Sequence, residues 1–338
     1  FTTIKNCTIT NNKLISTDDG GWRTGVVVGT ANNGQCKIIN ITESGNTLTQ
    51  ASANDFKNPT GAKRHYYGRF VPAGTGSLEI DGVKMVAGQT YLADGLTKTD
   101  GSTTYNVSNA NGLAVLNGMM ANKTAGRGTV VNLSADINFA GKTWTPVDSH
   151  ADSQFTFAEL NGNGHTISNF TINGQAMFKR FAGSGDVTVK NVTFDNASVN
   201  STTINTSILT VQTYQNVLLD NVDVRNSSIN GGYKVAPLIG TVYNESSSTI
   251  TATLKNCDVE NVTVKATSYD FCTTGMVAFV YADDNDTIEF ENCTVKDVKL
   301  MAPNDSYKAH AAIYATGSDS LYNEAEGVTV TNVTFEAL

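Results

Sequence analysis

The chain has 338 residues, with 31 Asp and Glu against 23 Lys and Arg, for a formal net charge of -8 at pH 7. That balance argues against a nucleic-acid partner, which needs clustered cations, and no apolar run approaches the roughly 20 residues that span a bilayer as a helix. Charged residues make up 16%, below the usual quarter; Asn, Thr, Ser and Gly fill the difference, the uncharged polar surface common in secreted β proteins.

The first element is TTIKNCTITNNKLI, from Thr2 to Ile15. Ile4, Cys7, Ile9 and Leu14 alternate with polar residues as in a half-buried strand. Asn6 and Asn11 break the alternation, so each marks a corner. The strand TGVVVGTANNG follows, then a second unit of the same kind, CKIINITESGNTL. From Gln50 to Lys63 the chain turns polar, with Asn58-Pro59 and Gly61 marking a loop. HYYGRFV, SLEIDGVKMV and QTYLADGL then read as short strands. No leader is visible, and Phe1 opens directly on a repeat copy. The expectation is a processed or excised piece with residues upstream.

The turn-rich stretch LTKTDGSTT, Leu96 to Thr104, is the expected boundary between a first β-rich unit, 1–95, and a second domain, 96–338. In SNANGLAVLNGMM, residues 108–120, Leu113, Leu116 and Met120 have helical spacing, and Ser108 or Asn109 can serve as N-cap. A solenoid has an end that must be covered, so this helix is expected to cap the second domain. TVVNLSADINFAG, the segment around Trp144, and FAELNGNGHTISNFTI then read as strands with a turn at Asn161–Gly164.

From here one pattern recurs: DVTVKNVTFDNASV at Asp186, NVLLDNVDVRNSSI at Asn216, TATLKNCDVENVTV at Thr251, TIEFENCTVKDVKL at Thr287 and the fragment VTVTNVTFEAL at Val328. Aligned on Asn191, Asn221, Asn256, Asn292 and Asn332, with Asn6 as an early copy, the steps are 30, 35, 36 and 40 residues. Such steps indicate a solenoid, with insertions on one side. Strands stacked about 4.8 Å apart would bring these asparagines into a ladder. The expected fold is all-β: a right-handed parallel β-helix with Asn ladders and one short capping α-helix.

The order SNANGLAVL, LSADINFAGKTWTPV, FAELNGNGHTISNFTING and then N-(V/C)-(T/D) rungs resembles large secreted β-helix proteins of gut Bacteroidales, some of which carry GLUG motifs and resemble the pectate-lyase fold. YGRFV, followed by SLEIDGVKMV, is similar to the close of a preceding β-helix unit in such chains. Asn161 stands where the motif often has Asp. The resemblance implies an exported, outer-membrane-attached or extracellular, adhesin-like protein whose partner is a polysaccharide or a host-surface glycan or protein.

No catalytic set is legible. Asp18-Asp19 and Asp283-Asp284 lack the companions of β-helix hydrolases, and the acidic stretch Ala282–Thr287 reads as a solvated turn. His65, His150, His165 and His310 have no metal spacing, and neither metal nor cofactor is expected. Cys7, Cys257 and Cys293 share one interior repeat position and read as stacked core thiols; at ladder spacing a Cys257–Cys293 disulfide is conceivable. Tyr214, Tyr243, Tyr281 and Tyr314 follow their asparagines by 22–25 residues. They read either as an aromatic strip for stacking on sugar rings or as shields over strand ends. The expected function is therefore non-catalytic glycan or matrix binding along a solenoid face. The alternatives are a β-helix polysaccharide lyase or glycoside hydrolase, and a structural spacer.

Overall fold

A computed structural model describes residues 2–16, 27–32, 35–50, 67–71, 77–80, 83–85, 89–93, 95–99, 101–121, 125–146, 157–181, 185–243, 249–268, 273–281, 286–303, 310–316, 321–322 and 325–337. The chain forms two units, Phe1–Ser102 and Thr103–Leu338.

In the first unit, residues 2–16 lie in parallel register over 35–50. Ile4 pairs with Ile38, Thr8 with Thr42 and Leu14 with Leu48. Asn6 and Asn40 are both left-handed, at φ 55° and 50°, and Asn40 Nδ2 donates to Asn6 Oδ1 at 2.9 Å. Asn11 sits over Gly45, where a Cβ would come 2.3 Å from its Oδ1. Ser77–Ile80 adds a third parallel strand, and Gln89–Ala93 pairs antiparallel with Leu96–Thr99.

The second unit is a parallel β-solenoid. Strand Glu159–Ile172 carries Val187–Asn200, which carries Val217–Gly231. Above that come Thr251–Lys255 with Asp258–Ala266, then Thr287–Glu291 with Cys293–Ala302. The apolar positions stack in columns: Val189 on Leu219 and Leu254; Phe194 on Val224, Val259 and Val295; Val199 on Ile229, Val264 and Leu300. All eleven are 0–2% exposed. Each such side chain contributes about 1.5–3 kcal/mol by leaving water, and this repeated burial holds the stack together. A second parallel sheet comprises Phe178–Phe181, Thr210–Thr213, Ile239–Val242, Val277–Val280 and Tyr314–Thr316.

Each rung turns twice, at left-handed residues five apart: Asn191 and Asn196, Asn221 and Asn226, Asn256 and Asn261, Asn292 and Asp297. A left-handed backbone costs most L-residues about 1–2 kcal/mol, and the short polar side chains of Asn and Asp reduce that cost. The stack also connects their amides. Asn221 donates to Asn191 Oδ1 at 3.1 Å, and Asn261 to Asn226 at 2.8 Å; Asn256 turns instead to Asp220, at 3.0 Å.

The last rung departs from the expected alignment. Val330 pairs with Val295 and Phe335 with Leu300. Asn332 therefore stands above Asp297, to which it donates at 2.6 Å, and not above Asn292. The first corner of that rung is Gly327, at φ 79°, 35 residues after Asn292. A Cβ there would lie 2.3 Å from the Phe290 carbonyl oxygen, so the asparagine is replaced by the residue that fits. Asn6, in the first unit, pairs with Asn40 and belongs to that unit's own ladder.

The helix spans Ala110–Ala121, and of the two possible caps Asn109 is used: its Oδ1 accepts the Gly112 N–H at 2.9 Å. Leu113, Leu116 and Met120 are buried, and Asn117 donates to the Thr145 carbonyl. The helix follows the first strand of this unit, Thr104–Val107. No helix among the described residues is long and apolar enough to cross a membrane.

Outward-facing charges alternate in sign up the stack. One column runs Lys190, Asp220, Lys255, Glu291; another runs Asp195, Arg225, Glu260, Lys296. Lys255–Glu291 closes to 2.8 Å, and Lys296 is paired with Glu260. Each exposed pair is worth at most about 1 kcal/mol. Like charges directly opposite would oppose the register.

Candidate binding surface

The tyrosines end the strands of the second sheet, where backbone bonds set their order. Tyr214 N–H donates to Phe181 O, Tyr243 N–H to Thr213 O and Tyr281 N–H to Val242 O, at 2.8–3.2 Å. These three therefore stand on successive rungs. Tyr314 does not join them: it pairs with Val277, antiparallel to Tyr322, and its ring lies 5.7 Å from that of Phe290. Its partner Val277 lies four residues before Tyr281 on that strand, which places it off the column.

All four rings are half-buried. Tyr243 and Tyr281 pack with centroids 4.4 Å apart and planes at 41°. Tyr281 also meets Phe279 edge-on at 4.9 Å, so one side of the strip closes the core around Phe279, Ala311 and Ala315. The guanidinium of Arg180 stands 4.9 Å over the Tyr214 ring. Lys234, 7% exposed, places its ammonium 3.9 Å from the Phe279 centroid and 4.6 Å from that of Tyr281, and donates to the Tyr281 hydroxyl at 2.9 Å. The surface is thus an aromatic wall with two cations set into it. Arg180 can meet a carboxylate in bidentate fashion, while the rings offer apolar faces and hydroxyls.

Neither cation was legible in the sequence. Lys234, at φ 54°, occupies a left-handed corner where the rung below has Asn205, at φ 56°. Its aromatic neighbours come 45 and 47 residues later in the chain. Arg180 reaches Tyr214 from the preceding rung, again without a local motif.

A second polar group lies on the outer side of the middle strand. Asp223 is 7% exposed. Its carboxylate is 2.8 Å from Arg225 Nη2 and accepts the Asp258 N–H at 3.2 Å. Burial pushes its pKa up, against the pull of that N–H and of Arg225. Arg225 Nε is buried without a hydrogen-bond partner.

The other titratable candidates have structural partners. Asp136 accepts the Thr166 N–H at 3.0 Å and lies 3.1 Å from His165 Nδ1; these bonds, the N–H first, hold its carboxyl below the usual range. Asp286, from the acidic stretch, is 4% exposed and accepts the Ile250 N–H. Buried His310 lies 2.9 Å from Thr273 Oγ1 through Nδ1. Asp18, Asp19, Asp283, Asp284, His65 and His150 lie outside the described residues. Among those described, no three His, Cys, Asp or Glu side chains are placed to hold a metal.

Cys257 and Cys293 stack on adjacent rungs as free, buried thiols; contact with Cys293, then burial, raises the pKa of Cys257. Cys7, in the other unit, is only half-buried.

Compared with protein-family profiles, curated proteins and solved structures, the chain matches none.

Proposed function

We propose that the chain is a non-catalytic, adhesin-like solenoid of the cell surface or extracellular space that binds carbohydrate along the Tyr214–Tyr243–Tyr281 edge. The observation that carries this reading is the register of three tyrosines on consecutive rungs, with Arg180 over the first. Rungs repeat at about 4.8 Å, close to the length of a sugar ring, so a glycan chain can follow the column. The arginine favours acidic sugars.

The test is a glycan array with the wild type and with Tyr214→Ala, Tyr243→Ala and Arg180→Ala, each checked for an unchanged melting temperature. Loss of binding by the tyrosine variants, with Arg180→Ala affecting acidic glycans alone, is the expected result. Undiminished binding by folded variants, or no glycan bound by the wild type, overturns the reading.

One observation favours a second reading. A buried carboxylate beside a half-exposed arginine, Asp223 and Arg225, is a start for lyase chemistry on acidic glycans. Incubation with pectin and alginate, followed by ultraviolet absorbance of unsaturated uronates, distinguishes it: the binding reading expects no signal.

A further inference from the structure

Cys257 and Cys293 lie directly over one another. Lys255 pairs with Glu291 and Asp258 with Thr294; between them Asn256 N–H donates to Glu291 O and Thr294 N–H to Cys257 O. In the two rungs below, the same interior position is Val192 paired with Val222. The two thiols take one orientation. Cys257 Sγ donates to Leu219 O at 3.5 Å and Cys293 Sγ to Leu254 O at 3.3 Å, each carbonyl belonging to the rung below. In the first unit, Cys36 pairs with Thr2 and Leu78, and Cys7 stands beside Ile41, since its carbonyl accepts the Thr42 N–H. Neither of those is stacked on a second thiol.

Spacing and charge suit the two sulfurs to react with each other. Strands of neighbouring rungs lie about 4.8 Å apart, within the roughly 4.4–6.8 Å between Cα atoms that a disulfide spans. Contact with Cys293 raises the pKa of Cys257, and contact with Cys257 lowers that of Cys293 to about 7. Cys293 is therefore the member that ionises, and Cys257 keeps its proton. The thiolate is the reactive form of a cysteine. Among the described residues, Val328 stands over Cys293 and is itself only half-buried, whereas Cys257 has Cys293 on one side and Val222 on the other.

We propose that Cys257 and Cys293 are a redox pair that closes, on oxidation by hydrogen peroxide, into a disulfide between neighbouring rungs. The Cys293 thiolate attacks a peroxide oxygen. The S–O bond forms as O–O breaks, and the departing hydroxide takes up the proton released when Cys293 ionised. The Cys257 sulfur then attacks that of Cys293. The S–S bond forms as S–O breaks, and hydroxide leaves with the Cys257 proton as a second water. Two thiols give up two electrons and two protons, and one peroxide becomes two waters. The chain from Cys257 to Cys293 makes one complete turn of the solenoid, with Val277–Val280 and Tyr281 in it. The bond closes that turn into a ring, which restricts the unfolded chain and stabilises the stack.

The test treats the folded protein with hydrogen peroxide, blocks remaining thiols with an alkylating reagent in denaturant, and maps peptides without reduction. One link, Cys257 to Cys293, is expected, in a chain two hydrogens lighter. The melting temperature should rise by at least about 5 °C and fall back on treatment with dithiothreitol. Cys257→Val puts at this position the residue that Val222 supplies one rung below, so the packing is kept. In that variant Cys293 should become one or more oxygens heavier, with no rise in melting temperature. In Cys293→Val, Cys257 should be oxidised at least about tenfold more slowly than Cys293 is in Cys257→Val. A folded wild type that keeps both thiols, a link to any other cysteine, a link that leaves the melting temperature unchanged, or equal oxidation rates in the two variants would overturn the proposal.

Discussion

The ammonium of Lys234 donates to the hydroxyl of Tyr281 across 2.9 Å and stands over the rings of Phe279 and Tyr281. This contact ties a left-handed corner to a strand end one rung above, and it takes a cation out of water. A hydrogen bond to a charged group is worth about 1.5–3 kcal/mol, and a desolvated cation over a ring about 2 kcal/mol.

Tyr281→Phe keeps the ring and removes the oxygen. It is expected to cost about 1.5–3 kcal/mol in urea unfolding. Lys234→Met removes the cation and keeps most of the volume, so in the double variant Tyr281→Phe should cost little more. Additive losses would show that the two groups do not act on one another.

The corners separate two contributions. Asn221 has a φ of 58° and donates to Asn191. Asn221→Gly loses only the ladder bond, about 0.5–1.5 kcal/mol. Asn221→Ala also places a Cβ in the left-handed region, adding about 1–2 kcal/mol. Thermal melts should therefore rank wild type above glycine above alanine. Gly45 and Gly327, both left-handed at corners, show that glycine is accepted there. Equal loss in the two variants would remove the conformational part of the argument.

Core depth falls off at the end of the stack. Phe194 is 0% exposed, whereas Phe335 is 47% exposed. Phe194→Ala is expected to destabilise by about 3–5 kcal/mol. Phe335→Ala should cost about 1–1.5 kcal/mol, since only about half of its surface leaves water. Chemical denaturation of the two variants checks the contrast, and a comparable cost for Phe335→Ala would mean that the end is covered in solution.

Two aspartates act on pH stability in opposite directions. Burial raises the pKa of Asp223 above the unfolded value, so the folded state binds the proton more tightly. Its charging costs stability as pH rises from the unfolded pKa through the folded one. Asp136 has a lowered pKa, so its contribution is present above the unfolded pKa and is lost as pH falls through the folded one. Melting temperatures from pH 3 to 7 should show that Asp223→Asn gains relative to wild type as pH rises and that Asp136→Asn loses. Parallel curves for all three proteins would contradict both assignments.

What the sequence determined by itself is the shape of one rung. Alternation of side chains and the left-handed preference of asparagine act within a few residues, so Val189, Asn191, Phe194, Asn196 and Val199 declare two corners and three short strands without reference to the rest of the chain. The recurrence of that pattern also implied the stack. Tertiary structure alone decided which residue stands over which, because that depends on contacts 30–47 residues apart and on loops whose conformation no local rule sets. Gly327 takes the first corner of the last rung and shifts Asn332 onto Asp297, since only glycine fits against the Phe290 carbonyl. Tyr314 pairs with Val277, four residues before Tyr281, and so falls outside the tyrosine column. Lys234 and Arg180 enter the aromatic wall from other rungs.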